Sequence, residues 1–168
     1  KALTTGEEDW LVTECSSFQL ESIRDFKPEV SAILNLTPDH LDRHKTMANY
    51  GDAKAQIFAN QDSSQYCVVN YDDKACFALA DNCKAKVVPF SRKEELEFGA
   101  YVSEDKIVIK DEEGSIIEFC SVDELKIPGT HNLENALAAC AVGYFGGIGA
   151  DVISQVLRSF SGVEHRIE

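Results

Sequence analysis

Two short stretches of the chain concentrate side chains that can hold a metal or move a proton. Asn35 to His44 reads Asn-Leu-Thr-Pro-Asp-His-Leu-Asp-Arg-His, with Asp39, His40, Asp42 and His44 following Pro38. Upstream, Glu14 opens the run Glu-Cys-Ser-Ser-Phe-Gln-Leu-Glu, and downstream Lys54 stands within a helical pattern. The Asn35–His44 stretch, with its acids and histidines, points to a nucleotide–metal site. Each residue also has a plainer reading. Glu14 can be a solvated acid, as most glutamates are. His40 and His44, four apart, have the spacing of a zinc metalloprotease helix, but Leu41 stands where the general-base glutamate belongs. The same residues read as an exposed first helical turn whose acids favour the helix dipole. Lys54 can snorkel its ammonium to water, or lie buried, lose its charge readily and become available for chemistry.

Positioning these groups falls to the elements around them. The apolar run Val30 to Leu36, bounded by Pro28 and Pro38, reads as a buried strand. The acids and histidines then sit at its carboxyl end, where open α/β sheets place their binding crevice. Trp10-Leu11-Val12 reads as a short strand that would leave Glu14 at its end. Ser16 with Gln19 fits a capping box, so a short helix starts there and Pro28 closes it. A helix over about Met47 to Asn60 carries Met47, Tyr50, Ile57 and Phe58 on one stripe, and Lys54 falls on that stripe.

Further along, Tyr66 to Asn70 and Ala85 to Phe90 read as strands separated by a helix over Lys74 to Leu79. The alternation between Tyr101 and Cys120, with a Glu113-Gly114 turn, is a β-hairpin signature. Arg92 to Glu97 reads as a solvated charged segment. A helix from Asn132 places Leu133, Ala136, Leu137, Cys140 and Ala141 on one side and stops at Gly146-Gly147. Asn132 there can be a helix cap or a ligand contact. Asp151 to Leu157 gives a last short helix. The fold class is therefore α/β: a mostly parallel sheet flanked by helices, with a small antiparallel hairpin region.

Composition narrows the partners. The 168 residues suffice for one domain, or one domain plus a fragment, with a sizeable core. Sixteen basic against 29 acidic residues give a net charge of −13, which repels nucleic acid in the absence of a basic patch. A nucleotide that carries magnesium brings its own positive charge and escapes that exclusion. The six cysteines show no Cys-x-x-Cys spacing and sit in apolar runs, which predicts reduced, buried thiols in a cytoplasmic protein. No signal peptide or membrane-length apolar run is seen, so no membrane insertion is expected.

The blocks Glu14-Cys15-Ser16-Ser17-Phe18-Gln19-Leu20-Glu21, Asn35 to Arg43, Ala53-Lys54, Val68-Val69-Asn70 with Asp72-Asp73, Gly129 to Ala136 and His165-Arg166 follow one another across nearly the whole chain. In that order they resemble the Mur ligases of peptidoglycan synthesis, and the first block resembles the D-glutamate-adding type. The resemblance implies an ATP-dependent carboxylate–amine ligase acting on UDP-N-acetylmuramoyl-L-alanine and D-glutamate, with ATP and Mg2+ as cofactors. It implies that Glu14 and His40 are metal ligands, and that Lys54 carries a carbamate whose oxygens join them; His40 and Lys54 would be the catalytic pair. Asn132 and Asn135 would read the adenine, Arg166 would lie near the nucleotide phosphates with His165 beside it, and Ser16 would contact the muramoyl substrate.

The chain also departs from the family pattern. No Gly-Lys-Thr or Gly-Lys-Ser of a phosphate-binding loop occurs, and Gly146-Gly147-Ile148-Gly149 has no lysine to replace it. Residues 1–161 are therefore expected to be the later part of a Mur ligase central ATP-binding domain, with 162–168 leading towards a C-terminal domain. Alone, such a piece is expected to be inactive. Two alternatives stand beside this: an isolated nucleotide-binding or interaction module, and a sister Mur or folyl-polyglutamate ligase.

Overall fold

A computed structural model describes Gly6 and residues 9–162. Its frame is a six-stranded sheet in which β1 (Val30–Ile33), β2 (Tyr66–Asn70), β3 (Lys86–Ser91), β4 (Gly99–Ser103), β5 (Lys106–Lys110) and β6 (Ile116–Ser121) lie side by side in chain order. The pairings from β1 to β4 are parallel and those of β4–β5 and β5–β6 antiparallel. The helices are α1 (Ser17–Leu20), α2 (Leu41–His44), α3 (Met47–Ala55), α4 (Lys74–Ala78), α5 (Thr130–Phe145) and α6 (Ala150–Ser159). The expected α/β architecture and its hairpin are both present.

Both faces of the sheet are covered, which is why the parallel strands read as continuous apolar runs. On one face Val68, Val88, Phe90, Ile107 and Ile109 meet Leu137, Cys140 and Ala141 of α5 and Ile153 and Leu157 of α6. On the other, Ile33, Cys67 and Val69 meet Phe58, Cys76 and Ala80. Leu137 is fully buried at the centre of the first cluster. Leu137→Ala is expected to cost about 2–5 kcal/mol by leaving a cavity, measurable as a shift of the urea midpoint at unchanged slope.

Several expectations change in the structure. Trp10 to Val12 form no strand: the three are 54%, 61% and 90% exposed. No described strand lies alongside to complete a ladder there, and an extended segment without a partner is not a strand. The helix after Ser16 ends at Leu20, long before Pro28, because the capping box starts a helix but only one turn of apolar contact follows. The strand from Val30 stops at Ile33, and the Met47 helix passes into a 3-10 turn at Gln56–Phe58. Arg92 is not merely solvated, since its Nε donates to Glu134 Oε1 at 2.7 Å in a partly buried pair.

The sequence does not separate strand β4 from the hairpin. It is joined to β5 by Glu104 and Asp105, both in the left-handed region at φ 46° and 63°. That geometry is the two-residue hairpin turn usually marked by Asn-Gly or Asp-Gly, so the familiar signal is missing here.

No cysteine is in a disulfide; Cys67, Cys76, Cys120 and Cys140 are buried, and Cys15 and Cys83 are partly covered. Burial raises the Cys76 thiol to about 11 and pushes Cys140 up as well. A hydrogen bond from Cys67 lowers Cys83 to about 7. Alkylation at neutral pH, followed by mass spectrometry, is therefore expected to label Cys83 well before those four buried thiols.

Candidate functional site

The carboxyl ends of β1, β2 and β3 are tied to each other by the polar residues that follow them. Asn70 Nδ2 donates to Leu34 O at 2.9 Å, and Asp73 Oδ2 accepts from Leu36 N at 2.8 Å. The other Asp73 oxygen caps α4 through Ala75 N and Cys76 N. Asp72 takes the Ser91 hydroxyl at 2.6 Å and Arg92 N at 3.0 Å. These three residues fix the loops after the strands, and each of the contacts is internal to the protein.

Beside the end of β1 lies a cavity of about 300 Å³. Thr13, Glu14 and Cys15 form one wall, Ala32 to Asn35 a second, and Lys54 with Ile57 a third. Glu14 and Lys54, far apart in sequence, thus face one space. Lys54 is half-buried and holds its Nζ 5.4 Å from the centroid of the Tyr50 ring, a cation–π distance. A larger open groove of about 690 Å³ lies at the opposite edge of the sheet, lined by Glu118, Lys126 and Arg158 among others, and holds none of the candidate residues.

His40 is not among the residues lining that cavity. It precedes α2 in the left-handed region (φ 52°, ψ 30°), a conformation uncommon for a residue with a side chain. Its backbone N–H donates to Asp39 Oδ1 at 2.8 Å, and its ring lies 4.9 Å from that of Phe18. His40 is exposed while His44 is 5% exposed, so the two histidines do not form one ligand face. A four-residue spacing gives a shared face only within an unbroken helix, and α2 begins only at Leu41.

Ser16 is the N-cap of α1: its N–H donates to Gln19 Oε1 at 2.9 Å and its hydroxyl accepts from Gln19 N at 3.3 Å. Asn132 is not the cap of α5. Gly129 takes that place at φ 107°, and no side chain caps the first turn. Asn132 Nδ2 instead donates to Pro128 O at 2.7 Å, with the exposed Asn135 one turn on. His165 and Arg166 lie outside the described residues.

Among the residues lining the cavity, Glu14 is the only carboxylate. Among the described residues no group of three or more His, Cys, Asp or Glu could hold a metal. A closed zinc site needs such a group. Magnesium is commonly held by one or two carboxylates together with substrate phosphates, and Glu14 offers one. The Lys54 amine would repel the ion; only as a carbamate would it become an oxygen ligand.

Residues 1–143 match the Mur ligase middle domain. The chain belongs to the Mur ligase family. Among relatives of this Mur ligase domain, UDP-N-acetylmuramoylalanine–D-glutamate ligase of Thermoanaerobacter sp. is 52% identical over 99% of the chain and 36% of its own length. The protein of the same name from Alkaliphilus oremlandii is 54% identical over 100% of the chain and 37% of its own length. The chain thus spans little more than a third of the relatives it matches. In fold, MurF from Acinetobacter baumannii superposes with a TM-score of 0.64 at 20% identity, covering 84% of this chain and 31% of that one. No helix among the described residues is long and apolar enough to cross a membrane.

Proposed function

We propose that this Mur ligase domain is the later part of the ATP-binding domain of a ligase that adds D-glutamate to UDP-N-acetylmuramoyl-L-alanine in the cytoplasm. Residues 1–161 would belong to that domain and 162–168 would lead to a C-terminal one; the piece alone would not ligate. One observation carries the reading: Glu14, Asn35 and Lys54 line a single cavity at the carboxyl end of β1. The relatives above 50% identity, named for that reaction, support the choice of substrates.

In this reading Glu14 would hold one magnesium and His40 a second, a carbamylated Lys54 would add an oxygen ligand, and Ser16 would lie beside the muramoyl substrate. Asn132, Asn135 and Arg166 would hold the nucleotide. Magnesium bound there supplies the positive charge that lets an anionic carboxylate approach an anionic phosphate. A carboxylate oxygen of UDP-N-acetylmuramoyl-L-alanine attacks the γ-phosphorus, and the bond to ADP breaks to leave an acyl phosphate. The amine of D-glutamate then attacks the acyl carbon; phosphate departs, the amine loses a proton, and an amide remains. The walls of the cavity would orient the first attack, and the protein's ties through Asp72, Asp73 and Asn70 would keep those walls fixed.

Phosphate release by the complete ligase tests this reading. Release is expected only when UDP-N-acetylmuramoyl-L-alanine and D-glutamate are both present. Equal release with other amino acids, or with no UDP substrate, would overturn it.

A further inference from the structure

The three elements that carry the candidate ligands are short. α1 and α2 have four residues each and α3 nine, all below the length at which an isolated helix holds its own shape. Something outside their own hydrogen bonds must keep Glu14 and Ser16 before α1, His40 before α2 and Lys54 on α3 in a common register. One side chain touches all three. His44, the last residue of α2, is buried with its side chain 2% exposed.

Its imidazole has a hydrogen-bond partner at one nitrogen and an acidic neighbour at the other. Nε2 lies 2.9 Å from Ser17 Oγ on α1. Nδ1 faces Glu21 Oε1 at 3.4 Å, and the other Glu21 oxygen accepts from Arg43 Nη2 at 2.9 Å. Which partner donates in the Ser17–Nε2 hydrogen bond depends on the ring's tautomer. The Phe18 ring stacks on His44 at 5.5 Å and 9°, and also stands 4.9 Å from the His40 ring. On the side of α3, Tyr50 lies 5.3 Å from His44, and Asn49 Nδ2 donates to His44 O at 2.8 Å. That same Tyr50 ring lies 5.4 Å from the Lys54 ammonium.

We infer that His44 is a positioning residue: its imidazole locks α1, α2 and α3 together, so that the groups flanking them meet the nucleotide in one fixed arrangement. The inference rests on the site proposed above, but the lock itself does not depend on catalysis. Burying an imidazole is costly unless it is hydrogen-bonded, and here Nε2 bonds Ser17 on α1 while Nδ1 lies 3.4 Å from Glu21 just past its end. A purely apolar filler would pack the same space and leave α1 free to rotate. The His40 ring in turn stands against Phe18, which stacks on His44.

Two variants in the complete ligase test the lock. Ser17→Ala removes only the hydroxyl, alters no ring chemically, and releases α1 with its Phe18 ring to shift against His44. The His40 ring proton signals in an NMR spectrum are expected to move, because the distance to the Phe18 ring current changes. His44→Phe keeps the ring and its stacking but loses both nitrogens. It is expected to lower kcat by about 10–100-fold and to raise the magnesium concentration needed for half-maximal rate. His44→Gln, which can still reach Ser17, is expected to recover part of the loss. The combined Ser17→Ala and His44→Phe variant is expected to be no worse than His44→Phe alone.

Unmoved His40 signals in folded Ser17→Ala would overturn the inference. So would a His44→Phe enzyme whose activity falls only in proportion to its unfolded fraction. If the wild type shows no substrate-dependent ATP turnover, the proposed function fails, and the NMR result still decides the lock.

Discussion

Lys54→Ala in the complete ligase is expected to lower kcat by about 10³-fold, which is about 4 kcal/mol of lost transition-state stabilisation. Lys54 shares its cavity with Glu14, and as a carbamate it would add an oxygen ligand there. The competing account is that its ammonium simply rests on the Tyr50 ring. Lys54→Arg separates the two. A guanidinium sits on an aromatic ring at least as well as an ammonium does, so under that account arginine would preserve activity. A guanidinium forms no carbamate, so if the carbamate is the ligand, Lys54→Arg is as impaired as Lys54→Ala. Lys54→Glu, which returns a carboxylate on a shorter stem, is expected to recover part of the rate. Steady-state kinetics of the three variants at saturating magnesium, with circular dichroism to establish folding, gives the answer.

Gly99→Ala is expected to destabilise the fold severely although it adds a single methyl group. Gly99 opens β4 at φ 110°, and a Cβ there would lie 2.1 Å from Pro89 O and 3.1 Å from Pro89 C. Those are backbone atoms of β3 that cannot swing away. The β3–β4 junction has only two paired positions, Phe90 with Ala100 and Ser91 with Tyr101. Any displacement there loosens the contact between the parallel and antiparallel halves of the sheet. Strain and overpacking together are expected to cost about 3 kcal/mol or more, and to lower Tm by roughly 10 °C in a chain of this size. Gly114→Ala is the control: its φ is 82°, but nothing lies within 4 Å of the added Cβ. It is expected to cost only about 1 kcal/mol, from the left-handed backbone alone. Calorimetric melting of both variants compares clash with conformation directly.

What is legible in the sequence depends on the range of the signal. Ser16 and Gln19 announce the capping box of α1 because the partners are three residues apart and the motif closes on itself. Tyr66–Asn70 is legible to the residue, since a fully covered parallel strand is an uninterrupted apolar run. The extent of α1 and the state of Trp10 to Val12 are not legible. Both depend on which neighbours are present, and no local pattern encodes a neighbour.

The same division holds in the site. The residue types at Glu14, His40 and Lys54 suggest chemistry, and the structure brings Glu14 and Lys54 to one cavity. It leaves His40 against Phe18 instead, because a left-handed residue before α2 turns its side chain away from the helix face that the spacing implies. His44 stands out in the sequence by its spacing from His40, but its contacts to Ser17, Glu21 and Tyr50 bridge residues distant in sequence. Asp72 and Asp73 read in the sequence as a turn before the Lys74 helix and as part of the family pattern, and their service as ties between strand ends emerges from the hydrogen bonds.

In the proposed site the Glu14–Lys54 cavity would hold the magnesium of a bound nucleotide. Titration calorimetry of ATP into the complete ligase, with and without magnesium, tests it most directly when wild type and Glu14→Gln are compared. Tight binding that requires magnesium is expected in the wild type, and binding at least about tenfold weaker, a loss of about 1.4 kcal/mol, in Glu14→Gln. Magnesium-dependent binding of equal strength in a well-folded Glu14→Gln protein would contradict it.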